Sequence, residues 1–229
     1  MDRDAQKRTA AEAAAALVED GMIVGLGTGS TARFAIDTLI ARVRDGLRIR
    51  AIPTSERSAA QAREGGIPLT TFAEHRRLDL TIDGADEIQA GTLNLIKGLG
   101  GALLREKIVA AASERLVIVA DGRKLVERLG QTAVVPVEVV PFGWETTRER
   151  LRLLGTDPQP RRDAAGQLFC TDGGNRILDC KFASIADPAA LEQAIGQIVG
   201  VVEVGLFIGM ASVALVAGET GIERLTVGR

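Results

Sequence analysis

Leu78-Asp79-Leu80-Thr81-Ile82-Asp83-Gly84-Ala85-Asp86-Glu87 is the stretch that decides the fold class of this chain. Residues 78–82 are mostly apolar and read as a buried strand. Three carboxylates follow directly. In an open α/β sheet, ligands bind in the crevice outside the carboxyl ends of the strands. Acids at the end of such a strand therefore stand where chemistry is done. Ten residues after Glu87 comes Lys97-Gly98-Leu99-Gly100-Gly101, and then Arg105-Glu106-Lys107. Residues 83–107 thus gather four acids, three bases and a glycine-rich loop, a set suited to a polar or anionic substrate.

Working outward in both directions, apolar strands alternate with segments of helical periodicity. Residues 4–18 are alanine-rich, with charges at helical spacing and no Gly or Pro. A strand is expected over 22–26 and a helix over 32–43. A strand over 47–52, a helix over 55–64, a helix over 102–112 and a strand over 116–120 follow. This alternation implies a Rossmann-like α/β fold, a mostly parallel sheet flanked by helices.

The rhythm changes after Gly130. Residues 134–140 read as a strand whose Pro136 marks an edge or a linker. A helix over 144–154 follows. Strands over 167–171 and 176–182 are joined by Asp172-Gly173-Gly174-Asn175, a strong hairpin signal. Asp187-Pro188 opens a helix, with the acid as cap and the proline in the first turn. Strands over 201–208 and 213–216 close the chain. The order β-α-β-β-α-β over 134–208 predicts a smaller α+β, ferredoxin-like domain. The expected division is 1–130 plus 205–229 for the larger domain and 131–204 for the smaller.

Composition narrows the function. With 229 residues, 46% apolar and 25% charged, the chain can bury a substantial core. Twenty-eight basic and 30 acidic residues nearly cancel, so there is no global basic field for nucleic acid. The apolar stretch 199–210 is broken by Gly200, Glu203, Gly205 and Gly209, far short of the ~20 residues of a membrane span. The first residues lack the basic-then-apolar order of a signal peptide, and the expected location is the cytoplasm. His75 is the only histidine and sits in a surface turn, Glu74-His75-Arg76-Arg77. A multi-histidine metal site is therefore impossible, and a histidine-centred triad would have to rest on His75. Cys170 and Cys180 form no C-x-x-C pair, lie in expected strands and read as small buried hydrophobes.

Three motifs carry chemistry. Gly25-Leu26-Gly27-Thr28-Gly29-Ser30-Thr31 joins a strand to a helix. It is either a phosphate or sugar cradle made of helix N–H groups and hydroxyls, or a tight turn that binds nothing. Ser30 replaces the third glycine of the dinucleotide fingerprint, and no Gly-Lys-Ser/Thr follows as in a P-loop. Asp83, Asp86 and Glu87 can bind a divalent cation, work as acid and base against Lys97, or cap a turn. Glu106 falls near the positive end of a helix, which favours an ionised carboxylate able to act as a base. Its alternative is a solvated Arg-Glu-Lys surface.

Together these residues resemble the type A ribose-5-phosphate isomerases over nearly the whole chain. The resemblance rests on Gly27-Thr28-Gly29-Ser30-Thr31, Thr54-Ser55-Glu56, Asp83-Gly84-Ala85-Asp86-Glu87, the Lys97 glycine loop and Arg105-Glu106-Lys107. It continues through Val119-Ala120-Asp121 with Lys124, Pro136-Val137-Glu138-Val139 and Thr171-Asp172-Gly173-Gly174-Asn175. Leu99, Gly173 and the apolar 208–212 segment depart from the commoner family wording.

The resemblance implies interconversion of ribose 5-phosphate and ribulose 5-phosphate in the non-oxidative pentose phosphate pathway. It implies proton transfer through an enediolate, with no cofactor and no metal. It makes Glu106 the base. Lys97 and the backbone of Gly98, Leu99 and Gly100 become the partners of the developing oxyanion. Asp83 and Asp86, with Gly84 and Ala85 between them, bind sugar hydroxyls, and the two acids assist ring opening. Thr28, Gly29, Ser30 and Thr31 form the substrate loop, and Lys124 and Lys7 serve the phosphate. A homo-oligomer, dimer or tetramer, is expected. Two rivals share the architecture: a phosphosugar-responsive regulator, which would need a helix-turn-helix absent from this sequence, and a CoA-transferase-like enzyme using Glu106 as nucleophile.

Overall fold

The computed structural model describes residues 2–227; Met1, Gly228 and Arg229, the outer ends of the expected larger domain, lie outside them. Along the chain, α1 (Arg3–Ala15), β1 (Ile23–Leu26), α2 (Ser30–Arg44), β2 (Arg50–Pro53), α3 (Glu56–Gly65) and β3 (Leu80–Gly84) come first. Short strands β4 (Glu87–Gln89) and β5 (Leu95–Ile96) precede α4 (Leu103–Ala111), β6 (Leu116–Asp121) and β7 (Leu125–Val126). Then come β8 (Val135–Val139), α5 (Trp144–Arg152), β9 (Gln159–Pro160), β10 (Arg176–Cys180), α6 (Pro188–Gly196) and β11 (Val201–Val204). The chain closes with β12 (Leu206–Phe207), β13 (Val213–Ala217) and β14 (Ile222–Leu225).

The main sheet has the order β14-β13-β6-β3-β1-β2. Its pairings are parallel except for the edge strand β14, which runs antiparallel to β13. β3 and β6 are covered on both faces, which is why they read as continuous rather than alternating apolar runs. Thr81 is fully buried in β3, and its hydroxyl lies 2.6 Å from Ser113 Oγ. α1 presents Ala10, Ala11, Ala14 and Ala15, all fully buried, to the core. Small side chains there let the helix lie close to α2, β6 and β13. Asp2 caps α1 by accepting from Ala5 N–H at 2.8 Å.

Strand order reverses around β1: the chain passes to β2 on one side and then to β3 on the other. The loops after β1 and β3 diverge there and open a crevice at their carboxyl ends.

β8 to β11 form a second sheet in the order β11-β8-β10-β9, antiparallel throughout. With α5 and α6 this is the ferredoxin-like βαββαβ arrangement. Asp187 caps α6 through Ala189 and Ala190 N–H, with Pro188 in the first turn.

Several local expectations are corrected. β8 is an inner strand despite Pro136. The Pro136 carbonyl accepts from Gly205 N–H at 2.7 Å. A residue's N–H and C=O leave a strand on the same side, so the missing proline donor faces the point where β11 has just ended. Residues 167–171 form no strand beyond a single bridge between Arg162 and Leu168. Asp163 Oδ1 instead accepts from Ala165 and Gln167 N–H, both at 2.9 Å, and folds that segment into a tight turn. Gln159–Pro160 takes the place beside β10. The expected turn at 172–175 does form, tied to buried Glu138 by Thr171 Oγ1 and Asn175 Nδ2, both at 2.9 Å.

The expected 201–208 strand breaks at Gly205 into β11 and β12. The chain there passes so close to Lys97 that an added Cβ would lie 2.4 Å from the Lys97 carbonyl. β12 joins a third small sheet, β12-β5-β4-β7, whose other strands, like the edge strand β14, have no counterpart among the strands expected from the sequence. Cys180 is buried in β10 as expected, whereas Cys170 is exposed and outside any strand. No helix among the described residues is long and apolar enough to cross a membrane.

Candidate active site

The crevice between β1 and β3 leads into a cavity of about 230 Å³. Three segments of the main sheet's carboxyl edge supply its walls, the loop after β1, the end of β3 and the turn after β6, together with the loop after β5 of the small third sheet. Arg3 and Lys7 of α1 complete it.

Asp83, the penultimate residue of β3, is buried. Its Oδ1 accepts from Thr28 N–H at 3.0 Å and from Gly84 N–H at 2.7 Å. Its Oδ2 lies 3.0 Å from Lys97 Nζ. Lys97 follows β5 and is itself buried, donating to the Gly84 carbonyl at 2.5 Å. On its far side Lys97 Nζ lies 3.4 Å from Glu106 Oε2. That oxygen is buried and makes no hydrogen bond. One ammonium thus stands between two carboxylates, with the outer one unsatisfied.

The electrostatics follow from this placement. Burial, reinforced by the Asp83 and Asp86 charges and opposed by Lys97, pushes the Glu106 carboxyl up to about 8. The helix N-terminus alone would have favoured ionisation; desolvation outweighs it. Burial lifts the Asp83 carboxyl above its ordinary value too, although Lys97 and the two N–H donors pull against it. Burial also works against the Lys97 ammonium, but Asp83, Glu106 and Asp86 together outweigh it and hold the pKa above that of an ordinary lysine.

Glu106 is flanked by residues that turn elsewhere, as successive residues on a helix must. Arg105 reaches Glu56 Oε1 at 2.8 Å. Lys107 is buried between Glu192 and Glu203, at 2.9 and 2.8 Å. The Arg-Glu-Lys triplet is therefore not a solvated surface.

The acid cluster also divides. Asp86 faces the cavity and accepts from Leu99 N–H at 2.9 Å. Glu87 turns away, fully buried. It binds Gly130 N–H at 2.6 Å, Thr132 N–H at 2.5 Å, Thr132 Oγ1 at 2.7 Å and Ala133 N–H at 2.7 Å. Its role is to pin that loop. Among the described residues no group of three or more His, Cys, Asp or Glu is placed to hold a metal ion.

Gly29, Ser30 and Thr31 line the cavity where α2 begins. Gly29 provides no side-chain cap, so first-turn N–H groups are available to an anion. Thr28 also lines the cavity, but its hydroxyl turns back to Thr54 Oγ1 and Ser55 Oγ, each at 2.7 Å. Lys7 and Lys124 both reach the cavity, Lys7 with its Nζ 3.4 Å from Asp4. Gly84, Ala85, Gly98 and Gly100 are in the wall; Leu99 is not, and its side chain is exposed. Arg3 and Arg123, which no sequence motif marks, also line the cavity, as does Asp121, which the resemblance motif includes without giving it a role. Asp121 is the last residue of β6, much as Asp83 is the penultimate residue of β3, so the strand-end rule gives it a place at the site. It is paired with Arg123, Oδ1 to Nε at 2.9 Å.

The sequence profile of the ribose 5-phosphate isomerase A (phosphoriboisomerase A) family matches residues 50–221. The chain belongs to that family. It is 63% identical over 226 residues to ribose-5-phosphate isomerase A of Gloeobacter violaceus, covering 99% of this chain and 98% of the relative. It is 58% identical to that of Gluconobacter oxydans, with 97% and 96% covered. Ribose 5-phosphate isomerase A of Methanocaldococcus jannaschii superposes with a TM-score of 0.94 at 38% identity, over 97% of this chain and 99% of that one. A D-ribose-5-phosphate isomerase in complex with phospho-erythronic acid superposes with a TM-score of 0.95 at 36% identity, over 99% and 100%. The profile starts after α1 and the loop that follows β1, but the Gloeobacter violaceus relative, aligned over 226 residues, spans Lys7 and Thr28–Thr31 as well.

Proposed function

We propose that this chain interconverts D-ribose 5-phosphate and D-ribulose 5-phosphate, with Glu106 carrying the proton between C2 and C1. The observation that carries the reading is the buried, unsatisfied Glu106 Oε2, 3.4 Å from Lys97 Nζ in a cavity rimmed by cations.

A base that must take a proton from carbon works best with a pKa near the working pH, and burial brings Glu106 there. When C2 of the opened sugar loses its proton, the electron pair moves towards the carbonyl oxygen and an enediolate forms. Lys97 supplies the charge that this oxygen needs, already desolvated and held in place by Asp83. Glu106 then returns the proton to C1 while the C2 hydroxyl passes its proton to the oxygen on C1, so that C2 becomes the carbonyl carbon. Asp83 and Asp86 take sugar hydroxyls and assist ring opening. The open N-terminus of α2, Lys7 and Lys124 take the phosphate. No metal or cofactor enters this scheme.

The finer readings are ours as well. Residues 131–204 act as a unit beside 1–130 plus 205–229, supported by the separate β8–β11 sheet. The enzyme works in the cytoplasm as a homo-oligomer, dimer or tetramer, supported by the exposed apolar Phe142, Leu153 and Val199.

The test is to incubate EDTA-treated protein with ribose 5-phosphate in deuterated water, with Glu106→Gln alongside. Ribulose 5-phosphate carrying solvent deuterium, formed by wild type and not by the variant, supports the scheme. Activity that EDTA abolishes and Mg²⁺ or Mn²⁺ restores would overturn the metal-free mechanism. A folded wild type that binds the sugar phosphate without turning it over would favour a sensor.

A further inference from the structure

Arg161 lies just beyond β9, far from the cavity in sequence, and its backbone is locked on both sides. Its N–H donates to the Ile177 carbonyl, and its carbonyl accepts from Phe169 N–H, both at 2.9 Å. The side chain is largely buried. One edge of the guanidinium meets both carboxylate oxygens of Asp179 on β10, with Nε to Oδ2 at 2.9 Å and Nη2 to Oδ1. The remaining nitrogen, Nη1, donates to the Gly98 carbonyl at 2.7 Å and to the Leu99 carbonyl at 3.1 Å. Asp179 therefore aims a fork that grips two successive carbonyls of the glycine loop.

Those carbonyls decide where the next two N–H groups point. The described chain has no cis peptide, and in a trans peptide the C=O and N–H of one unit point in opposite directions. Holding Gly98 O turns Leu99 N–H away from Arg161, and that N–H orients Asp86 by donating to Oδ2 at 2.9 Å. Holding Leu99 O likewise turns Gly100 N–H away from Arg161. Gly100 lines the cavity, and its N–H meets no acceptor among the described residues.

We infer that Arg161, aimed by Asp179, is a positioning residue for the isomerisation: it sets the two peptide units of the glycine loop so that Asp86 is oriented and the Gly100 N–H is presented to the sugar. The inference rests on the isomerase reading above. Arg161 itself touches no substrate. Lysine cannot replace it, because an ammonium lacks the planar fork that spans a carboxylate and two carbonyls at once.

The experiment compares Arg161→Lys, Arg161→Met and Asp179→Asn with wild type by steady-state kinetics, thermal melting and amide hydrogen exchange at Leu99. In the arginine variants kcat should fall roughly 10- to 100-fold, the scale of a misplacement of about 1 Å. KM should stay within about threefold of wild type, since the loss is felt in the transition state. Leu99 exchange should accelerate while Ile82 and Val119, in the central strands, stay protected. Asp179→Asn should show the same pattern in weaker form. Arg161→Lys with wild-type kcat and wild-type Leu99 exchange would overturn the inference. So would activity lost only in step with the unfolded fraction, which would make the contact purely structural. A wild type that does not turn over ribose 5-phosphate would instead bring down the isomerase reading. Leu99 exchange would then still separate an Arg161 that sets the loop from one that does not, unchanged exchange overturning it.

Discussion

Gly27 and Asp83 are fitted to one another: a Cβ on Gly27 would lie 2.2 Å from Asp83 Oδ1 and 2.5 Å from Asp83 Cα. The loop after β1 passes this close because Gly27 N–H bonds the Ile82 carbonyl at 2.9 Å and Thr28 N–H bonds Asp83 itself. Part of the clash is with backbone, so no rotamer change relieves it. Gly27→Ala should destabilise the protein by about 1–3 kcal/mol. It should also lower kcat roughly 10²-fold by moving Asp83 off Lys97. Thermal melts and kinetics check both; an unchanged kcat would show that Asp83 need not be held there.

Glu106→Gln keeps the size and burial of the side chain while removing the base. It should fold normally and lose roughly 10²–10⁴-fold in kcat, the range for a lost general base. Near-wild-type turnover would remove Glu106 from the mechanism.

The raised Glu106 pKa gives a pH dependence with a definite sign. The folded state holds this proton up to about 8, whereas the unfolded chain releases it near 4.5. The native state therefore binds more protons in that window, and the contribution of this group to stability is present below pH 4.5 and lost as pH rises through 8. Glu106→Gln should flatten that part of the stability curve and gain stability over wild type towards pH 8. The kcat/KM of wild type should climb across the same window as the free enzyme's base ionises. Urea melts at several pH values and a pH–rate profile test the two halves separately.

Lys97→Ala leaves Asp83 and Glu106 buried without their cation. Removing one partner of a buried ion pair costs about 3–5 kcal/mol of stability, and acidification should recover part of it by protonating the carboxyls. Transition-state stabilisation should fall by about 3–4 kcal/mol if Lys97 faces the oxyanion. A change confined to KM would show that it only binds substrate.

Lys124→Ala and Lys7→Ala should raise KM for ribose 5-phosphate roughly 10- to 100-fold each, the worth of a charged hydrogen bond, and leave kcat close to wild type. A kcat loss without a KM change would place either lysine at the reacting end instead.

What was legible in the sequence was local. The apolar run before Asp83, the glycine loops and the Asp187-Pro188 cap announce strands, turns and a helix start through backbone preferences and burial periodicity, which act over a few residues. These sufficed for the α/β class and the βαββαβ order of the second sheet, and they put Asp83, Asp86, Lys97, Glu106 and the two glycine loops forward as candidates; Lys7 and Lys124 came only from the resemblance to the isomerase family. The hairpin turn at 172–175 was legible for the same reason, although the strand before it was not: Asp163 captures the N–H groups of Ala165 and Gln167 there.

Only the tertiary structure decided how neighbours in sequence divide their work. Asp86 and Glu87 are adjacent, yet one faces the cavity and the other pins residues 130–133. Glu106 turns inward while Arg105 and Lys107 pair outside the site. Pro136 occupies an inner strand because the neighbouring strand ends beside it, and Arg161 reaches the glycine loop from another sheet. By itself the sequence determined which chemistry-bearing residues exist and on which elements they ride. Which of them meet, how deeply they are buried and hence where their protons sit depends on contacts between distant segments, and those exist only once the chain has packed.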